Sequence, residues 1–131
     1  MSAVRLFSRK RDDDEPVDLN ERSPELGLKY KDLAVLGQLM KSGADLTQPR
    51  HVVFYSYAPS EQVAEALKVD SEAGGYTAEV RDPLPQAPGQ WAVISETHTV
   101  TSPDFVRDAD NFFQELADRH GAEYDGWEAS V

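Results

Sequence analysis

Glu96 and His98 stand two positions apart in the run WAVISETHTV (91–100). Side chains alternate along a strand with period two, so an acid and an imidazole at that spacing share one face. Such a pair can serve as a general base with the carboxylate that orients it. The same pair also reads as a solvent-facing ion pair on a half-exposed sheet, which stabilises little. The other two histidines, His51 and His120, are far away in sequence, and no HxxxH or HExxH spacing appears. No metal site is therefore expected. The chain has no cysteine, which excludes disulfides and thiolate ligands, and it has no G-x-S-x-G elbow for an activated serine. Neither a catalytic residue nor a cofactor is expected. A small enzyme or ligand-binding domain built on Glu96 and His98 stands as the alternative.

Tyr55 and Tyr57, in HVVFYSYA (51–58), are of a type and spacing that could stack nucleic-acid bases. The neighbouring strand WAVISETHTV brings no Arg, Lys or Gly, and adds Glu96 instead. Across the chain 24 acidic residues face 13 basic ones, a formal net charge of −11. Gripping a phosphate backbone needs clustered cations, so direct nucleic-acid binding is not expected. An acidic surface instead steers toward basic protein segments. No apolar run approaches the roughly 20 residues that span a bilayer, and MSAVRLFSRKRDDDE lacks the apolar core of a signal peptide. These features fit a cytoplasmic protein without a membrane partner.

Positioning such residues requires ordered elements, and the sequence supplies punctuation for them. Residues 1–26 have opposed charge blocks and no period, the composition of a disordered mixed-charge tail. One domain is expected over 27–131. Leu33, Val35, Leu36, Leu39 and Met40 recur at helical spacing in YKDLAVLGQLMKS (30–42), with Gly43 as a stop. HVVFYSYA reads as a strand. Ser60 is placed to cap a second helix that stops at Gly74 and Gly75. YTAEVR (76–81) is a short strand, DPLPQAPGQ (82–90) a loop, and WAVISETHTV a strand. Ser102, Pro103 and Asp104 open a third helix, whose face carries Phe105, Ala109, Phe112, Phe113, Leu116 and Ala117 before Gly121 ends it. GAEYDGWEASV (121–131) is left as the last strand.

The order is helix, then β-α-β-β-α-β, which predicts an α+β ferredoxin-like sandwich with an extra N-terminal helix. The C-terminal strand is expected beside HVVFYSYA at the sheet's edge. The extra helix is expected over the open face of the sheet or against a neighbouring subunit, which leaves a homo-oligomer open.

The ending EYDGWEASV (123–131), after a helix closing in ELADRHGA, resembles the final strand of the regulator of ribonuclease E activity B family. LMKSGADLTQPRHVVFYSYAPSEQVAEAL and AGGYTAEV resemble that family's upstream pattern, so the likeness runs from about residue 30 to residue 131. The resemblance implies a ferredoxin-like fold. It also implies a non-catalytic protein that binds ribonuclease E through a scaffold portion of the enzyme and restrains RNA cleavage.

Strand alternation in the ending puts Tyr124, Gly126 and Glu128 on one face and Asp125, Trp127 and Ala129 on the other. Trp127 reads as a structural anchor packed with Phe54, Phe112 and Leu116, where burying its ring is worth about 2–3 kcal/mol. Gly126 is expected either to make room for an aromatic such as Tyr55 or to open the edge to a partner. An edge strand offers N–H and C=O groups that an extended segment can join. Glu123, Tyr124, Asp125, Gly126 and Glu128, with Tyr55 and Tyr57, are therefore the expected binding residues for a basic protein segment.

Overall fold

Two serines set the starts of the longest helices. In the computed structural model, which describes residues 3–5 and 18–131, Ser102 Oγ accepts the N–H of Phe105 at 3.1 Å and Ser60 Oγ that of Val63 at 3.2 Å. Each bond satisfies one of the donors a helix start leaves unpaired. The elements in chain order are β1 (Ala3–Arg5), α1 (Tyr30–Lys41), β2 (Arg50–Ala58), α2 (Glu61–Ala73), β3 (Thr77–Arg81), β4 (Trp91–Thr99), α3 (Pro103–His120) and β5 (Glu123–Ser130). Together they make a mixed structure of three helices and one antiparallel sheet.

The sheet runs β1-β5-β2-β4-β3, with every pairing antiparallel. Four strands form its body, and β1 adds three residues on the outside of β5. This corrects the expected edge: β5 lies beside β2, but the outermost strand on that side is the chain's own β1.

One face of the sheet carries the core. Phe54 of β2 stacks on Phe113 of α3 with ring centroids 4.5 Å apart, and Tyr76 and Phe105 meet Phe54 edge-on. Phe112 stacks on Tyr76 at 5.6 Å and stays partly exposed at the outer side of this cluster. Leu116, Leu67 and Val93 are buried with them. Aromatic pairs of this kind are worth about 0.5–1.5 kcal/mol beyond the area they bury.

The first helix is where the structure departs from expectation. α1 packs on the core side of the sheet, not over its open face: Val35, Leu36 and Leu39 are buried in the same cluster as Trp127, Ala129 and Val106. Its start has no side-chain cap at Lys29. The N–H groups of Tyr30 and Lys31 instead donate to the carbonyls of Glu21 and Leu19, each at 3.0 Å. Residues 18–29 are thereby tied to the helix, with a bridge between Arg22 and Lys29 and with Leu28 fully buried. The composition of 1–26 reads as tail, yet residues 3–5 form a strand and residues 18–26 cap a helix. The remainder of that span lies outside the described residues.

Candidate functional site

The strand β5 gathers most of the residues singled out from sequence, and a backbone irregularity decides how they face. Phe54 pairs with Trp127 but Ser56 pairs with Tyr124, so one residue of β2, Tyr55, spans two of β5, Asp125 and Gly126. That is a β-bulge. Gly126 sits there at φ 100°, in a region that side-chain-bearing residues seldom adopt. A Cβ on Gly126 would meet nothing within 4 Å. The glycine therefore serves backbone geometry and does not make room for Tyr55.

The bulge shifts the alternation by one position, and this corrects the assignment of faces. Tyr124 and Trp127 both join the core side: Tyr124 is 7% exposed and stacks against Phe113 at 5.8 Å. Trp127 is 3% exposed. Asp125, expected on the surface, is 5% exposed. Of the acids expected to meet a partner, Glu123 is exposed and Glu128 half-buried. The Tyr55 hydroxyl donates to Glu128 Oε1 across the strands. Tyr55 and Tyr57 are half-buried on the face of the sheet that carries no helix among the described residues.

Beneath the bulge lies a polar cluster that sequence reading missed. Trp127 Nε1–H donates to Asp32 Oδ1 of α1 at 3.0 Å. Asp32 is 2% exposed, and among the described residues its Oδ2 has no hydrogen-bond partner. Burial, with the nearby Asp110 charge, pushes the Asp32 carboxyl above its ordinary value, against the lowering effect of the Trp127 bond and of Lys31 and Lys29. Burial also pushes the Lys31 ammonium down, helped by the Lys29 charge and opposed by Asp32, Asp110 and Asp125. Asp110 of α3, 1% exposed, meets Arg22 at 2.7 Å and Lys29 at 3.1 Å. Asp110 thus ties α3 to the 18–29 segment. No pattern in the sequence marks Asp32 or Asp110 as buried, because an acid in a first helical turn or on a long helix ordinarily faces water.

The candidate general base comes apart in the structure. Glu96 Oε1 lies 2.6 Å from His51 Nε2, not beside its strand neighbour His98. The β2–β4 register places Val53 opposite Glu96 and His51 opposite His98. His51 is therefore the diagonal neighbour that a long side chain reaches. Both partners are open to water, at 49% and 36% side-chain exposure, and His98 is exposed too. A base and its orienting acid without an enclosing wall gain little from the low dielectric that catalysis uses. Clefts among the described residues lie elsewhere, for example one of about 470 Å³ lined by Arg22, Lys29, Asn111, Gln114, Glu115 and Asp118, and one of about 290 Å³ at Tyr57, Pro59, Gln90 and Glu123.

What this region can do follows from its parts. β5 carries Glu123 and Glu128 beside Tyr55 and Tyr57 of β2, on a strand whose register is fixed by Trp127 and Gly126. Among the described residues, no helix is long and apolar enough to cross a membrane.

Comparison with known proteins gives the family. Residues 30–129 match the family described as regulator of ribonuclease activity B. The match takes in every helix and strand from α1 to β5 apart from the last residue of β5. No curated protein matches the chain. The chain belongs to the regulator of ribonuclease activity B family.

Proposed function

We propose that this member of a ribonuclease-regulator family binds a ribonuclease E-type endoribonuclease and restrains its cleavage of RNA without doing chemistry itself. Regulation of ribonuclease activity is what the family match gives, and that match is the observation carrying the reading. The contact we assign is a basic segment of the enzyme's scaffold portion, met by Glu123, Glu128, Tyr55 and Tyr57. The formal net charge of −11 supports a basic protein partner over RNA itself. Cytoplasmic placement accompanies this reading, since the partner acts on RNA there. The order β5-β2-β4-β3, with helices joining β2 to β3 and β4 to β5, supports the ferredoxin-like arrangement.

Tyr124, Asp125 and Gly126 enter the site through position, not contact. They set where Glu123 and Glu128 stand relative to the two tyrosines.

The test is recovery of partners from a lysate on the tagged protein, with and without digestion of RNA. An endoribonuclease retained after RNA is destroyed supports the proposal. An endoribonuclease that disappears with the RNA refutes it, because the protein would then be reaching the enzyme through nucleic acid.

A further inference from the structure

The strand on the outside of β5 is short, local in its pairing and far from β5 in sequence. β1 comprises three residues, matched as Ala3 to Ser130, Val4 to Ala129 and Arg5 to Glu128. β5 comprises eight residues, so β1 pairs with its C-terminal end alone. The register also sets Arg5 at the position directly across from Glu128. The chain thus carries on its own β5 edge an extended segment with the charge expected of a basic partner.

We propose that the outer edge of β5 is a strand-acceptor site, held in cis by residues 3–5 and yielded to an extended, arginine-bearing segment of a protein partner. The inference rests on the reading that the partner offers a basic segment. It adds that binding is an exchange of one strand for another. Three paired residues make a weak strand by themselves. Covalent attachment through residues 6–17 makes their pairing intramolecular, with an effective concentration on the order of millimolar. If the isolated segment has a Kd of about 100 μM, the cis strand leaves roughly one edge in ten open. A partner segment that pairs with more of β5 than three residues displaces it. The bulge at Gly126 fixes the reach of such a segment, since the ladder changes register there.

The probe is a fluorescent synthetic peptide of residues 1–11, MSAVRLFSRKR, titrated by anisotropy into three full-length proteins. These are the native chain, a variant with Ala3→Pro, Val4→Pro and Arg5→Pro together, and the Arg5→Cys/Glu128→Cys variant. Proline removes the donors β1 needs. The chain has no native cysteine, so the double-cysteine variant forms a single disulfide across the β1–β5 pair. The proline variant should bind the peptide about tenfold more tightly than the native chain. The oxidised cysteine variant should bind it more weakly than its reduced form. Equal affinity in all proteins, or no binding to any, overturns the proposal, as does failure of the disulfide to form. Should the proline variant not fold, the oxidised and reduced cysteine forms decide the matter between them. No nuclease enters this experiment, so its failure leaves the regulatory reading untouched, and loss of nuclease recovery leaves the strand exchange untouched.

Discussion

Trp127 binds β5 to α1 through a hydrogen bond to Asp32, whose other carboxyl oxygen has no partner among the described residues. Trp127→Phe keeps most of the apolar ring but removes the donor to Asp32. Leaving a buried carboxyl without its partner costs about 1–3 kcal/mol, and more when the group is charged. Urea denaturation of Trp127→Phe should show a loss in that range, with the midpoint falling and the slope unchanged. Gly126 makes a different kind of demand. Its φ of 100° penalises any side chain although the space beyond it is open. Gly126→Ala should therefore cost about 1–2 kcal/mol through backbone strain alone, read as a lower Tm without a cavity or clash. The EYDGW stretch made Trp127 legible as an anchor from its type and place. It could not reveal the bulge, because a strand with one glycine reads equally well as straight. Period-two alternation alone therefore puts Tyr124 on the wrong face. The bulge is set by pairing to β2, which depends on residues some 70 positions away.

The helices differ in how openly they declare themselves. α3 is legible because its signals agree: a capping serine, Pro103 in the first turn, a regular apolar face and Gly121 in the left-handed conformation at the end. α1 has an apolar face too, but periodicity says only that a face is buried and never which surface buries it. Its place is chosen by tertiary polar contacts: Asp32 to Trp127, and Arg22 and Lys29 to Asp110. That docking should depend on pH through Asp32. Its carboxyl is held above the ordinary 3.8 in the folded chain, so folding favours the protonated form. The stability it contributes is full below 3.8 and is lost as pH rises through the raised folded value. Asp32→Asn keeps an acceptor for Trp127 and removes the titration. Relative to that variant, the native chain should lose stability as pH climbs from below 3.8 toward neutrality. Urea unfolding of both proteins across this range checks the sign, and a gap that stays constant with pH would show that Asp32 does not titrate in the window.

At the scale of the whole molecule, charge and sheet edge act together. On the proposed reading, the formal net charge of −11 raises the encounter rate with a basic partner and makes that rate fall with salt. The β5 edge is then the proposed local contact, with the core side of the strand given over to Tyr124 and Trp127. Reversing charge at Glu123 and Glu128 tests this without touching the core, since Asp125 is buried and should be left alone. Glu123→Lys/Glu128→Lys should keep the native circular dichroism and weaken capture of a ribonuclease E-type enzyme at least tenfold. The account stands most directly on one measurement: the rate of RNA cleavage by a purified ribonuclease E-type endoribonuclease that retains its scaffold portion, as the protein is titrated in. The account predicts a saturable fall in rate with the native chain, a fall shifted to higher concentration with Glu123→Lys/Glu128→Lys, and no change to RNA incubated with the protein alone. A cleavage rate that stays constant across the titration, or RNA consumed by the protein without the enzyme, would contradict it.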